Sequence, residues 1–279
     1  MALAACIQIN GSSDIDRNLA VTERLVREAA AAGARLIATP EATTYLGPHK
    51  DKAALAEPVD GPTHRRLGRL AGELGVTLLV GSVAERCPSE DGAPPTRSYN
   101  TSLLFGPDGS LLARYRKLHL FDVDLSDQGG VRFAESDRTA PGDPSEDVVV
   151  ADTELGRLGL SICYDLRFGE LYREHVRQGA TILAVPSAFT LMTGKDHWHA
   201  LLRARAIENQ CWVLAPGQWG HHDDQGLRQS YGHSLIVDPW GTVVAECGDG
   251  EGFCIAPIPA GRVEAIRRRI PMGANRRLG

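Results

Sequence analysis

Residues 158–168 read LGLSICYDLRF: an apolar run, broken only by Gly159 and Ser161, stops at Cys163, and polar, charged and turn-forming residues follow at once. A cysteine there sits at the carboxyl end of a strand, the edge where open α/β sheets place their ligands. The Tyr164 N–H and the helix start that follows would stabilise a thiolate or a developing oxyanion. A cysteine is more often a small buried core residue than a nucleophile. Position and neighbours set Cys163 apart. Two further reactive side chains end strands in the same way: Glu41 after residues 36–39 (LIAT) and Pro40, and Lys117 where the strand begun by residues 111–113 (LLA) runs out through 114–116 (RYR). A thiol nucleophile needs a base, and a carboxylate can serve. A tetrahedral intermediate needs a cation or N–H donors at its oxygen, which Lys117 and the Tyr164 N–H would supply. Taken singly, Glu41 and Lys117 would pass as surface charges. If the three strands run parallel as neighbours, the three ends share one rim.

The elements that must position these groups follow from periodicity. Residues 3–9 form a first strand; Asp14 caps a helix whose Ile15, Leu19, Leu25, Val26 and Ala29 recur at helical spacing until Gly33. Residues 36–39 are a short strand buried on both faces. A second helix over 63–74 and a strand over 76–83 come next. Residues 103–105 and 111–113 flank Gly106-Pro107-Asp108-Gly109 and make a hairpin. Residues 118–144 read as a long irregular segment, of the kind that usually carries function.

The rest of the chain repeats the scheme. Residues 34–41 (ARLIATPE) are echoed by 180–187 (ATILAVPS), each after a glycine-terminated helix, so Glu41 corresponds to Ser187. The hairpin 102–110 (SLLFGPDGS) is echoed by 234–242 (SLIVDPWGT). A fourth long helix covers 195–210, and residues 261–270 form a terminal helix before the tail. Two halves, each with two helices and a mixed sheet, would pack sheet on sheet with helices outside. The expected fold is α/β: a four-layer α-β-β-α sandwich with an internal pseudo-two-fold repeat, one domain over residues 1–279.

Composition narrows the function. Hydrophobic residues make up 43% and charged residues 23% of the chain, as in ordinary globular proteins. A net charge of -5 argues against a nucleic-acid surface, and the basic run Arg267-Arg268-Arg269 reads as a solvated face. The apolar start lacks a basic flank and is too short to span a bilayer. Six cysteines without regular spacing indicate free thiols and a reducing, cytoplasmic setting. His197, His199, His221, His222, Asp223 and Asp224 suggest a metal hydrolase, but their spacing fits no common zinc motif. No metal is expected.

Pro40-Glu41, residues 115–120 (YRKLHL) and residues 162–168 (ICYDLRF) together resemble, in order, the three signature blocks of the nitrilase-like carbon–nitrogen hydrolase superfamily. The resemblance implies the four-layer sandwich, a Glu41-Lys117-Cys163 catalytic set, no metal or organic cofactor, and pairing into a homodimer or larger homo-oligomer. It also matches residues 133–136 (FAES) to the block holding a second active-site glutamate, Glu135, which otherwise reads as a loop carboxylate. Residues 204–210 (ARAIENQ), 231–234 (YGHS) and 238–241 (DPWG) are similar to the branch of omega-amidases and deaminated-glutathione amidases. His199 stands where that branch often carries Glu, and the tail after Pro271 lacks the family's usual tyrosine.

The resemblance implies an amidase that hydrolyses a small carboxylate-bearing amide (deaminated glutathione or a 2-oxo acid amide) to acid and ammonia through a thioester. Arg167, four residues after the nucleophile, is a candidate fork for the substrate carboxylate; a salt bridge to Glu170 or another nearby carboxylate is the alternative. The residue types also suit a nitrilase or an N-carbamoyl-amine hydrolase. A catalytically idle scaffold on the same fold is the non-enzyme alternative.

Overall fold

Asp14 accepts a hydrogen bond from the Arg17 N–H at 3.0 Å and so starts the first helix where its sequence position predicts. The computed structural model describes residues 2–88, 95–126, 132–223 and 228–277. The chain runs β1 (Leu3–Gln8), α1 (Ile15–Ala31), β2 (Ala34–Ala38), α2 (Pro62–Leu74) and β3 (Thr77–Arg86), then the hairpin β4 (Ser98–Phe105) and β5 (Leu111–Arg116). Short strands β6 (Asp122–Asp124) and β7 (Arg132–Ala134) pair with each other, and β8 (Thr139–Ala140) joins β4. Then come β9 (Val150–Thr153), β10 (Gly156–Leu160), α3 (Gly169–Arg177), β11 (Ile182–Ala184), α4 (Leu191–Asn209) and β12 (Trp212–Ala215). The pair β13 (Trp219–His221) and β14 (Gln229–Tyr231) precedes the hairpin β15 (Leu235–Val237) and β16 (Val243–Glu246); β17 (Gly252–Pro257), α5 (Gly261–Arg269) and α6 (Met272–Asn275) finish the chain.

Two large sheets result. One has the order β17-β1-β2-β3-β4-β5, with β8 on β4; the other has the order β16-β15-β12-β11-β10-β9. The central strands β1, β2 and β3 are parallel, as are β10, β11 and β12. Alternation along β1 shows how the faces are used. Ala5, Ile7 and Ile9 enter a buried cluster with Leu19, Val26, Leu67 and Leu70 of α1 and α2. Ala4 and Cys6 enter a second cluster that joins Leu36 and Leu79 to Leu160, Ile182 and Val213 of the other sheet and to Tyr172, Trp198 and Leu202 of α3 and α4. Both faces of these strands are covered, which explains their continuous apolar runs. Each fully buried Leu, Ile or Val among them contributes about 1.5–3 kcal/mol by leaving water.

Three expectations change. The segment 118–144 is not uniformly irregular: it holds β6, β7, β8 and a 3₁₀ turn at Glu135–Asp137. Strands of two or three residues are too short for periodicity to reveal. The strand before Cys163 ends at Leu160, and a 3₁₀ turn, Cys163–Arg167, precedes α3. Finally, the strands leading to Glu41, Lys117 and Cys163 are not neighbours: β2 and β5 are separated by β3 and β4, and β10 lies in the other sheet. The three side chains nevertheless line one cleft, and strands of both sheets share one buried cluster.

Candidate active site

Glu41, Lys117, Glu135 and Cys163 line one cleft of about 880 Å³, counted out to its open mouth. Each arrives on a different device. Glu41 follows β2 in a turn where Ala42 has a left-handed φ of 56° and donates its N–H to Ser82 Oγ at 2.7 Å. Lys117 continues β5, its N–H bonded to the Asn100 carbonyl at 2.9 Å. Glu135 opens the 3₁₀ turn after β7. Cys163 opens another, with a left-handed φ of 50° and its N–H on the Pro186 carbonyl at 2.9 Å. Left-handed φ at a non-glycine residue costs energy and persists only where the surroundings hold it. Asp165 holds this one. Its buried carboxylate accepts from the Ile162 N–H (2.8 Å), the His119 N–H (3.0 Å) and the Tyr115 hydroxyl (2.6 Å), tying the cysteine turn to the chain after Lys117.

The polar groups form a closed set. Lys117 Nζ donates to Glu41 Oε1 at 3.0 Å and to Glu135 Oε2 at 2.8 Å. Asn100 Nδ2 spans the same two carboxylates, at 2.9 Å from Glu41 Oε1 and 3.1 Å from Glu135 Oε1. Glu41 Oε2 accepts from the Ala188 N–H at 2.8 Å, and Glu135 Oε2 from the Phe121 N–H at 2.8 Å. Lys117 is only 2% exposed. Burial alone would lower its pKa, but the charges of Glu135 and Glu41 outweigh that and hold the ammonium well above its ordinary range. Burial likewise pushes Glu135 up, and the Lys117 and Lys52 ammonium groups overcome it, so this carboxyl stays below the usual range.

The Cys163 thiol goes the other way. Burial, then the Glu41 charge, raises it well above the ordinary thiol value, and Lys117 opposes only in part. Burial and the facing carboxylate thus both favour the thiol over the thiolate.

Tyr164 and Arg167 also line the cleft. The Tyr164 ring meets Phe121 and Phe168 edge-on, at 5.1 and 5.4 Å between centroids. The Arg167 guanidinium is turned to His197 Nδ1 (3.3 and 3.4 Å) and lies 5.2 Å from the Phe189 ring centroid, so the alternative of an ion pair with Glu170 is not what the structure contains. Lys52, His49 and Arg228 line the cleft as well. Burial, with Arg228 and Lys52, lowers His49 to about 3 and leaves its ring neutral; burial also lowers Lys52.

Asn100, Asp165, Lys52, Arg228 and the Ala188 N–H are parts of the cleft or its supports that sequence reasoning missed. Asn100 alone left a signal: a residue disfavoured in strands, standing inside one. The histidines singled out as possible metal ligands disperse. His197 meets Arg167, and His199 meets Glu246 at 2.9 Å. His221 holds Asn10 through its carbonyl. His222 is buried between the Gly11 carbonyl and Ser230 Oγ, and Asp223 accepts from the Ser13 N–H. Asp224 lies outside the described residues.

A cysteine in the turn after β10 thus shares one cleft with a buried carboxylate and ammonium. The chain matches the carbon–nitrogen hydrolase family over residues 3–268 and belongs to it; it is a hydrolase of carbon–nitrogen bonds other than peptide bonds. It is 42% identical to a deaminated glutathione amidase of Synechocystis sp. over 269 residues, 96% of each chain. It is 37% identical to the human omega-amidase NIT2 over 273 residues, 98% of this chain and 94% of that one. Its structure is similar to that of Saccharomyces cerevisiae Nit3, a member of the nitrilase superfamily, with a TM-score of 0.85 and 32% identity over 99% of this chain and 97% of the other. Among the described residues no helix is long and apolar enough to cross a membrane.

Proposed function

We propose that the chain is a cysteine-dependent amidase acting on small amides that carry a carboxylate. The observation that carries this reading is the buried set around Cys163, in which Glu41 uses one oxygen for Lys117 and Asn100 and the other for the Ala188 N–H. Cys163 Sγ attacks the amide carbon while Glu41 takes the thiol proton; the oxyanion is met by Lys117 Nζ and the Tyr164 N–H. Collapse breaks the C–N bond, Glu41 returns the proton to the leaving nitrogen, and a thioester remains. Glu41 then takes a proton from water, hydroxide adds to the thioester carbon, and the acid leaves as the thiol is restored. Glu135 keeps Lys117 charged and oriented. The raised thiol pKa fits this scheme, because the proton then moves during attack rather than before it.

The cations of Arg167, Lys52 and Arg228 in the cleft support a carboxylate on the substrate, as do the names of the relatives. Deaminated glutathione is the preferred substrate and a 2-oxo acid amide the second. The leaving group differs between them. A primary amide such as 2-oxoglutaramate yields ammonia, whereas cleaving the side-chain amide of deaminated glutathione yields an amine, so the expectation of ammonia holds for the first alone. Turnover of both, of a neutral amide, a nitrile and an N-carbamoyl amino acid, read by acid release, tests the assignment. Preference for the nitrile or the carbamoyl compound would move it to those reactions. Cys163→Ala should abolish turnover of every substrate; appreciable residual activity would end the covalent reading.

The same reading covers the architecture and setting. Helices α1 and α2 on one sheet and α3 and α4 on the other, with the echoed sequences, support a single α-β-β-α domain with a pseudo-two-fold repeat. Trp240, Ile207 and Val244, 53%, 45% and 43% exposed, support pairing of protomers, which a monomeric mass in light scattering would contradict. Six free thiols support a reducing, cytoplasmic setting.

A further inference from the structure

We infer that His199, His233 and Glu246 form a site for a divalent zinc-like cation on the rim of the molecule, apart from the cleft. The three come from α4, from the turn between β14 and β15, and from the end of β16. His199 Nε2 and His233 Nδ1 lie 2.9 and 2.8 Å from the same oxygen, Glu246 Oε1, and the three ligand atoms are all within 4.8 Å of one another. None of the three lines the cleft that holds Cys163. Two imidazoles and a carboxylate are a ligand set that zinc favours, with water in the remaining position; hard cations such as magnesium prefer oxygen alone. Ligands about 2.0 Å from a tetrahedral ion lie roughly 3.3 Å apart. The ring nitrogens need open from Glu246 by only a few tenths of an ångström.

His233 is held for such a role. Its φ of 54° lies in the left-handed region, its carbonyl accepts from the buried Trp198 indole N–H at 2.8 Å, and its ring stacks on Tyr231 at 4.5 Å. Glu246 is opposite Leu235 in the β15–β16 ladder, and the next N–H, Cys247, bonds the Ser234 carbonyl at 2.8 Å. The backbone thus fixes two ligands, and α4 supplies the third beside Trp198. The side chains are about one-third exposed (34%, 30% and 32%), which leaves room for water on the ion. A bound cation would replace the protons that now link both rings to Glu246, and would tie α4 to the second sheet.

The test uses the full chain after treatment with a chelator. Equilibrium dialysis against zinc should give one ion per chain, with Tm raised by zinc and unmoved by magnesium. Cobalt in place of zinc should give visible bands of a nitrogen and oxygen site without thiolate charge transfer, which separates it from uptake by Cys163 or another cysteine. Glu246→Gln keeps the side-chain shape, and His233→Asn tolerates the positive φ. Each should weaken zinc binding at least about tenfold and remove the zinc-dependent rise in Tm. Unchanged binding in both variants, a cobalt spectrum of thiolate type, or no zinc uptake by the unaltered chain would overturn the site.

Discussion

The turn after β2 and the turn after β11 share a skeleton and differ in chemistry. Both follow a strand paired in parallel on each side. In both, the residue before proline continues the ladder: Thr39 N–H to Leu79 O at 2.9 Å, Val185 N–H to Leu214 O at 2.8 Å. The first then presents a carboxylate, Glu41; the second presents Ser187, whose hydroxyl turns back to the Val185 carbonyl, and the Ala188 N–H. The two turns meet, since Ala188 N–H donates to Glu41 Oε2 and Pro186 O receives the Cys163 N–H. In the proposed reaction the first half would supply base and cation, and the second the nucleophile and the Ala188 N–H that positions the base. A similar scaffold thus carries unlike groups to one point, and the site exists only where the halves touch.

The sharpest way to break the comparison is to erase the difference at its centre. Glu41→Gln keeps an oxygen for the Ala188 N–H but removes the base, so kcat/KM should fall by about 10²–10⁴. Trapping with a substrate that forms a stable adduct would show whether Cys163 still attacks. A fall of less than about tenfold would put the base elsewhere. Lys117→Met comes next. It deletes an oxyanion donor, for about 10²–10³ in kcat, and leaves Glu41 and Glu135 buried without their cation. Near-normal kinetics would take Lys117 out of the reaction.

Gly81 tests the meeting of the two turns without touching a reactive group. A Cβ built there would overlap the Thr39 carbonyl and come within 2.5 Å of both the Pro40 carbonyl and Pro186 Cβ. Two backbone turns, one from each sheet, close over this residue. Gly81→Ala should destabilise the fold by about 1–3 kcal/mol and lower kcat by parting Glu41 from Ala188. Denaturant unfolding reads the first effect and steady-state kinetics the second. Unaltered stability would mean that the two turns can part without cost.

Much of this was legible before the structure, and the boundary has a physical cause. Glu41, Lys117 and Cys163 each stand at the end of a strand pattern, a local signal. The echo between residues 34–41 and 180–187 is local too, and it made the carboxylate conspicuous because the partner position carries serine. Glu135 had only the family resemblance to mark it, since β6 and β7 beside it are three residues long. Asn100 and Ala188 were not legible in their roles, because they meet Glu41 across 59 and 147 residues of chain. Such contacts depend on sheet-to-sheet packing, to which periodicity is blind. The same holds for Glu246, which reaches His199 across 47 residues.

The smallest expected effect concerns what the second half recognises rather than what it does. Arg167 ends the same 3₁₀ turn that begins with Cys163, so thiol and guanidinium belong to one turn braced by Asp165 and its hydrogen bonds. Among the described residues the guanidinium has no carboxylate partner; it faces His197 and the Phe189 ring and borders the cleft. A substrate carboxylate there would make charge-assisted hydrogen bonds worth about 1.5–3 kcal/mol, part of which Lys52 and Arg228 can replace. Arg167→Ala should therefore raise KM by about tenfold, the equivalent of 1.4 kcal/mol, for acidic amides, while leaving kcat within about a factor of three and a neutral amide unaffected. Equal loss for charged and neutral substrates would make Arg167 a support for the cysteine turn, and recognition of the carboxylate would then fall to Lys52 and Arg228, in the same cleft but on the other side of the comparison in the case of Lys52.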